Sequence, residues 1–174
     1  RATVPVLWDK QKQTIVNNES ADILRMLNSG FGDLASADFD FYPEALRSEI
    51  DELNEYIYPR LNNGVYRTGF ATTQIAYEEA FRDVFKALAV LEEKLDGKGP
   101  FLFGESLTET DIRLFVTLIR FDAAYYGLFK CNLRQLKDYP ALSGWLLRVL
   151  NIPGVRETVN IDHIKRGYYS IKAL

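Results

Sequence analysis

Glu19 and Ser20 are the residues whose types and position most directly indicate binding chemistry. They follow a strand-like run and precede an apolar-periodic segment, so Ser20 is expected at a helix N-terminus. A serine there offers a hydroxyl and free backbone N–H groups to a carboxylate, while Glu19 can accept a ligand's ammonium group. The pair therefore suits a ligand that carries both charges. A helix start that is only capped is the alternative interpretation.

Nucleophilic and metal chemistry have few candidates in this sequence. The chain contains one cysteine, Cys131, and one histidine, His163. It can therefore form neither an internal disulfide nor a His/Cys zinc site, and no metal is expected. Cys131 lies at the end of an apolar helix with no activating pattern, so we interpret it as a structural thiol. We interpret His163 as a structural hydrogen-bonding residue.

Composition restricts the class of partner. The 174 residues are 47% hydrophobic, with a formal charge of −3, which suits a packed globular protein and argues against nucleic-acid binding. No run of about 18 apolar residues occurs, so no membrane span is predicted. The single cysteine favours a reducing compartment, and we expect a cytoplasmic location.

The order of elements predicts a divided chain. Two short strand-type runs, at residues 4–6 and 15–16, are separated by a polar turn, and every later segment has a helical pattern. We interpret residues 1–28 as the tail of a sheet-containing domain whose front half is missing. Residues 29–42, rich in Gly, Ser, Ala and Asp, are the predicted linker. Residues 43–174 are predicted to form an all-helical domain.

Regular apolar spacing predicts the helices of that domain. One helix opens at Pro43, and its frayed end is predicted at residues 62–64 and Gly69. A second runs over residues 73–95 and is expected to pack antiparallel to the first. The apolar stripes of the two helices are Leu46, Ile50, Leu53, Ile57 and Leu61, and Tyr77, Phe81, Val84, Leu88, Leu91 and Leu95.

The segment after Thr108 predicts a buried central helix. Thr108 and Asp111 have the spacing of a capping box, and the residues that follow are apolar nearly all round. Arg113, Arg120 and Asp122 on this helix must be paired or must reach a cleft. We interpret these three as an internal ion-pair network. Further helices are predicted around residues 142–150 and 160–169.

This layout resembles the glutathione transferase superfamily, in which a thioredoxin-like domain ends in a hairpin and helix before an all-helical domain. Val4-Pro5 and Glu19-Ser20 match the family's cis-proline and γ-glutamyl-binding pairs, and the Thr108–Asp111 box resembles its folding box. Longer motifs resemble the glutathionyl-hydroquinone reductases, the Xi-class, omega-like members, across essentially the whole chain. These motifs are residues 3–10, 18–21, 62–72, 111–115, 120–122 and 162–164.

The resemblance implies a mostly α fold: a glutathione-transferase C-terminal domain preceded by the last β-hairpin and helix of a thioredoxin-like domain. It implies glutathione-dependent reductive deglutathionylation of quinol thioethers by a homodimeric enzyme, with glutathione as cosubstrate and no metal. Residues 1–28 would then belong to the glutathione-binding domain. The residues implied to bind glutathione are Arg1, Val4, Glu19 and Ser20.

Three tyrosines are implied as catalytic groups by their motif positions: Tyr66, Tyr125 and Tyr168. In the family, tyrosines of the helical domain surround the reactive thiol and the quinol ring. A phenol can donate a proton to a leaving group, or hydrogen-bond a thiolate and lower its pKa. The neighbouring Tyr126 and Tyr169 are alternatives for the second and third positions.

The sequence departs from the family pattern at the nucleophile. The family uses a cysteine in a Cys-Pro-Trp motif, and these residues contain no such motif. As written the chain is therefore expected to be inactive, a fragment of the enzyme. Two alternatives remain open: an omega-like glutathione thiol transferase, and a non-catalytic transferase-like interaction domain.

Overall fold

The computed structural model describes residues 4–34 and 39–171. In these ranges the only sheet is one two-stranded hairpin, and the other regular elements are helical. The predicted mostly α fold class is confirmed. The chain divides into two compact units between Arg47 and Ser48. No helix in the described ranges is long and apolar enough to cross a membrane.

The first unit contains the hairpin and one helix. Strands β1 (Leu7–Asp9) and β2 (Thr14–Asn17) pair antiparallel. Asp9 closes their turn, because its Oδ1 accepts the backbone N–H groups of Gln11 and Lys12 at 2.8 and 2.9 Å. Helix α1 (Ser20–Ser29) then begins directly after β2. The predicted hairpin and helix are therefore present, but the first strand lies at Leu7–Asp9 and not at residues 4–6, where Pro5 has no backbone N–H to donate to a partner strand.

Helix α2 (Arg47–Ile57) follows a 3-10 turn, Glu44–Leu46, whose N-cap residue is Pro43. Of the predicted apolar stripe, Ile50, Ile57 and Leu61 are fully inaccessible, and Leu46 and Leu53 are half-buried. The helix then widens into a π-helical turn, Tyr58–Asn62, and continues as α3 (Gly64–Gly69). The prediction of a frayed end over these residues was wrong. The glycine and asparagine pattern suggested a break, but Val65 and Thr68 are buried and their packing stabilises the helix.

Helix α4 (Gln74–Leu95) is the longest element and packs against α3 and α6. The Thr73 hydroxyl caps it by accepting the Ala76 N–H at 3.2 Å. Helix α5 (Glu109–Arg120) follows a tight connector and passes into a second π-helical turn, Phe121–Tyr125. Most of α5 is buried, as predicted, although Val116 is 45% exposed.

The predicted capping box at the start of α5 is present. The backbone N–H and the hydroxyl of Thr108 both donate to Asp111 Oδ2, at 2.9 and 2.8 Å. Asp111 Oδ1 also accepts the Leu102 N–H at 3.0 Å and the Trp145 Nε1–H at 2.9 Å. Since Asp111 and Thr108 are fully buried, this carboxylate joins the connector, α5 and the next helix.

Two further helices complete the second unit. Helix α6 (Pro140–Leu150) buries Leu142, Trp145 and Val149. Its first turn is held by Glu92 of α4, whose carboxylate oxygens accept the Ala141 and Leu142 N–H groups at 2.8 Å each. Helix α7 (Ile161–Tyr169) is capped by Asn160, whose side chain accepts the His163 N–H at 3.0 Å.

Candidate functional site

Three phenols meet in the second unit: Tyr66, Tyr125 and Tyr168, here called the phenol cluster. The hydroxyl oxygen of Tyr168 lies 2.6 Å from that of Tyr66 and 2.8 Å from that of Tyr125. The Tyr66 and Tyr125 oxygens are 3.5 Å apart. The structure thus brings together all three tyrosines that the sequence suggested as catalytic.

Each member of the cluster comes from a different element. Tyr66 lies on α3, Tyr125 ends the second π-helical turn, and Tyr168 lies in the last turn of α7. Both π-helical turns close with i+5 hydrogen bonds, from Asn63 N to Tyr58 O and from Tyr126 N to Phe121 O, each 2.8 Å. Such turns insert one residue into a helix and change the direction of the side chains that follow. One precedes Tyr66 and the other contains Tyr125.

The neighbouring tyrosines that were left as alternatives do not join the cluster. Tyr125 is 2% exposed and hydrogen-bonded to Tyr168, whereas Tyr126 is half-buried and, among the described residues, has no hydrogen bond or ring contact with the cluster. Tyr168 is half-buried. Tyr169 is 57% exposed. Position in the fold therefore selects Tyr125 and Tyr168 over Tyr126 and Tyr169 as members of the cluster.

The buried ring of Phe129 packs against all three phenols of the cluster. The sequence analysis did not identify this residue. Its ring is fully buried, and its centroid lies 5.3, 5.2 and 5.8 Å from those of Tyr66, Tyr125 and Tyr168. Aromatic rings at these separations attract one another beyond simple area burial. Phe129 follows α5 and its π turn without a periodic pattern, so no signal in the sequence identified it.

Gly69 makes room for that ring. A Cβ atom at this position would lie 2.4 Å from Phe129 Cδ1 and Cγ. We expect Gly69→Ala to lower the free energy of unfolding by about 1–3 kcal/mol, because the buried ring must move. Urea unfolding measures the change. Gly167→Ala is the matched control: its Cβ would meet nothing within 4 Å, and alanine is the better helix former by about 1 kcal/mol. An equal loss in both variants would contradict the packing argument.

The phenol cluster holds one more proton than its short hydrogen bonds use. Three hydroxyls carry three protons, and only the two contacts to Tyr168 are within ordinary O–H···O range. Leaving the buried Tyr125 proton without an acceptor would cost about 1–3 kcal/mol. Tyr125 therefore donates to Tyr168. The spare O–H then belongs to Tyr66 or Tyr168, the two phenols that line a cavity.

Burial keeps Tyr125 and Tyr168 protonated at neutral pH. Loss of solvation raises the pKa of Tyr125 well above the ordinary tyrosine value, and it raises the pKa of Tyr168 to about 12. A phenol in this state is a hydrogen-bond donor and a weak general acid. The cluster is therefore suited to giving a proton, and not to removing one.

A cavity of about 500 Å³ opens beside the cluster. Its lining combines two phenols, aliphatic carbon and two basic side chains, a composition that suits a flat aromatic ligand. The described residues that line it are Tyr66, Arg120, His163, Ile164, Gly167, Tyr168 and Ile171.

The predicted ion-pair network on α5 was wrong. Arg120 Nη1 donates to the Val116 carbonyl, and Asp122 Oδ1 accepts the Leu136 N–H at 3.1 Å. Arg113 lies 3.9 Å from buried Glu109, one turn earlier on the same helix. Arg113 and Arg120 are two turns apart on α5, roughly 10 Å along its axis, and Asp122 follows in the π-helical turn, almost opposite Arg120 around the helix. The three side chains therefore do not meet, and Arg120 lines the cavity instead.

Cys131 is a buried thiol, fully inaccessible to solvent. Loss of solvation raises its pKa to about 12. A thiol in this state is a poor nucleophile, which supports the structural interpretation. Among the described residues no group of His, Cys, Asp and Glu is arranged to hold a metal ion.

The residues suggested for glutathione lie in the first unit. Glu19 is the N-cap residue of α1, and its own N–H donates to Asn17 Oδ1 at 2.7 Å. Its carboxylate has one long contact of 3.5 Å, from the Ala21 N–H. Ser20 is exposed at the first position of the helix, and the Val4–Pro5 peptide bond is cis. Arg1 lies outside the described residues.

Comparison with known proteins identifies similar sequences. Residues 74–148 match a family model described as the glutathione S-transferase C-terminal domain. The chain is 53% identical over 169 residues to glutathionyl-hydroquinone reductase PcpF of Sphingobium chlorophenolicum, covering 97% of this chain and 54% of that protein. It is 50% identical to glutathione S-transferase omega-like 2 of Schizosaccharomyces pombe, with 97% and 56% covered. The chain thus spans about half the length of the curated relatives it matches.

Solved structures give the same picture. The glutathione-bound structure of YqjG, a glutathione transferase homologue from Escherichia coli, superposes with a TM-score of 0.94 at 52% identity. That match covers 97% of this chain and 55% of the other. Glutathione transferase Xi 1 from Trametes versicolor superposes with a TM-score of 0.91, also at 52% identity, covering 96% and 59%.

Proposed function

Because this chain belongs to the Xi-class, omega-like glutathione transferases, we propose that it is the C-terminal portion of a glutathionyl-hydroquinone reductase. In that reaction a quinol thioether of glutathione is reduced to the free quinol. The single observation that carries the proposal is the phenol cluster with its spare proton beside an aromatic-sized cavity.

The proposed chemistry needs a proton donor at the ring. A thiolate attacks the thioether sulfur, an S–S bond forms, and the C–S bond breaks with its electron pair going to the ring carbon. That carbon must gain a proton, because an aromatic carbanion is a poor leaving group. Tyr66 is the proposed donor, since it lines the cavity and is 38% exposed. The family resemblance implies a Cys-Pro-Trp cysteine as the thiolate, a motif that these residues do not contain.

Tyr125 and Tyr168 have the proposed role of stabilising the phenolate that Tyr66 becomes after it has given up its proton. When Tyr66 gives up its proton, the resulting phenolate accepts the Tyr168 hydroxyl, 2.6 Å away, and Tyr168 accepts that of Tyr125 at 2.8 Å. Hydrogen bonds to a charged oxygen are shorter and stronger than those to a neutral one. The two inner phenols therefore stabilise the negative charge left on Tyr66.

The first unit has a proposed role in glutathione recognition. Arg1, Val4, Glu19 and Ser20 are the proposed contacts, with Ser20 and the α1 N-terminus facing the γ-glutamyl carboxylate and Glu19 facing the ammonium. We further propose that residues 1–28 are the tail of a thioredoxin-like domain, that residues 29–42 link it to the helical domain of residues 43–174, and that the protein is a cytoplasmic homodimer.

A second candidate is an omega-like glutathione thiol transferase acting on mixed disulfides. It is favoured by the relatives that bear omega-like names, including the 50% identical protein of Schizosaccharomyces pombe. Mixed disulfides release a thiolate, which needs no strong acid. The phenol cluster has no evident task in that reaction, so the thioether reaction is the better fit.

The deciding experiment supplies the intact protein with glutathionyl-hydroquinone and glutathione. Formation of free hydroquinone and glutathione disulfide in equal amounts is the expected result, measured by chromatography. A glutathione mixed disulfide with a small thiol is the comparison substrate. Turnover of the mixed disulfide alone would favour the second candidate, and turnover of neither would overturn both.

A further inference from the structure

The cavity beside the phenol cluster is positively charged at one wall. Arg120 and His163 line it, and no carboxylate does so among the described residues. Tyr168, which also lines the cavity, is protonated at neutral pH, because loss of solvation raises its pKa to about 12. A ligand that fills this cavity therefore meets phenol hydroxyl groups at one end, and the side chains of Arg120 and His163 beyond them.

Arg120 is available to a ligand. Its Nη1 donates to the Val116 carbonyl one turn earlier on α5, which fixes one edge of the guanidinium group. Within residues 4–34 and 39–171 Arg120 makes no ion pair. A guanidinium has five N–H donors in a planar fork that matches a carboxylate. Several of these donors remain for an anion in the cavity.

A second cavity of about 270 Å³ continues past these residues. It shares Arg120, His163 and Ile164 with the first cavity. Its other lining residues are the apolar Phe115, Val116, Ile119 and Val159 and the polar Thr158 and Asn160. Arg120 and His163 therefore lie between the two cavities. A substituent on a ring bound at the phenols would meet Arg120 and His163 before it reached the apolar end.

We propose that Arg120 and His163 form a subsite for an anionic substituent on the quinol ring, so that quinol conjugates bearing a carboxylate are favoured substrates. This inference rests on the proposed function and specifies its substrate class. Arg120 is the main contact, because a bidentate guanidinium–carboxylate pair is both charge-assisted and directional. His163 supplies a second N–H donor from α7.

The test compares two conjugates in the intact enzyme: the glutathione thioether of hydroquinone and that of 2,5-dihydroxybenzoate. We expect Arg120→Gln to lower the ratio of kcat/KM for the carboxylated over the plain conjugate by about ten-fold or more, mainly through KM. Arg120→Lys should recover part of the ratio, since it keeps the charge without the fork. A loss of equal size on both conjugates would overturn the subsite.

Arg166→Gln is the matched control. Arg166 lies on α7 close to His163, but it is 78% exposed, pairs with Asp162 at 2.9 Å and does not line the cavity. Its replacement should leave the ratio unchanged. A fall in the ratio as large as that for Arg120→Gln would mean that overall charge, and not a subsite, sets the preference.

Binding without turnover separates this proposal from the proposed function. Calorimetry with 2,5-dihydroxybenzoate and with hydroquinone measures the preference directly, whether or not the enzyme acts on thioethers. Tighter binding of the carboxylated compound that is lost in Arg120→Gln would support the subsite even if the reductase assay failed. Equal affinity for the two compounds in the unmodified protein would overturn it.

Discussion

Replacing Tyr66 with phenylalanine in the intact enzyme is expected to lower kcat for glutathionyl-hydroquinone by about ten-fold or more, since a positioned acid contributes roughly 10²–10⁴-fold. The change removes the hydroxyl that faces the cavity and keeps the ring that packs 5.3 Å from Phe129. Fold and glutathione affinity should therefore change little. Steady-state rates on the thioether and on a glutathione mixed disulfide are the measurement.

The mixed disulfide is the internal control for Tyr66→Phe, because its thiolate leaving group needs no strong acid. Tyr169→Phe is the matched variant: it removes a phenol from the same helix as Tyr168, but one that is 57% exposed and outside the cluster. It should leave both rates unchanged. Equal losses on both substrates for Tyr66→Phe would assign Tyr66 to packing or to tuning of the thiolate, and no loss on either would remove it from the site.

The largest effect on stability is expected for Asp111→Ala, which should lower the free energy of unfolding by about 3–5 kcal/mol because several buried donors lose their acceptor. Those donors are the backbone N–H groups of Leu102 and Thr108, the indole Nε1–H of Trp145 and the Thr108 hydroxyl. A capping box alone would predict only about 1–2 kcal/mol. Urea unfolding of the helical domain measures the difference.

Two companion variants test how Asp111 acts. Thr108→Ala removes the cap hydroxyl but leaves the contacts to Leu102 and Trp145, so its loss should stay near the 1–2 kcal/mol of an ordinary cap. Asp162→Ala, whose carboxylate is 63% exposed and paired to Arg166, should change stability by less than about 0.5 kcal/mol. A loss in Asp111→Ala no larger than that in Thr108→Ala would mean that Asp111 does no more than cap its helix.

Local patterns in the sequence were sufficient to predict most of the elements. The four- and three-residue spacing of apolar side chains predicted the long helices, and the Thr108–Asp111 spacing predicted a capping box that is present. Both signals depend on residues within one or two turns of each other. Where local preference and packing disagree, as at Gly64 and Gly69 in α3, burial of Val65 and Thr68 prevailed.

The three tyrosines were suggested by motif positions, and only the tertiary structure made them one cluster. Positions 66, 125 and 168 lie on three separate elements, and no spacing rule relates them. Their meeting depends on two π-helical turns and on the buried ring of Phe129, which has no periodic signature. The choice of Tyr125 over Tyr126, and of Tyr168 over Tyr169, likewise follows from which side of each helix is buried.

For the titratable and charged residues too, some properties follow from the sequence and others depend on the packing of the helices. Composition alone determined that one cysteine and one histidine could not form a zinc site, because counting needs no geometry. The direction of the Arg120 side chain could not be predicted from composition. Whether a semi-buried arginine pairs with a nearby aspartate or opens onto a cavity depends on where its helix faces, and only the packing of α5 against its neighbours decided that.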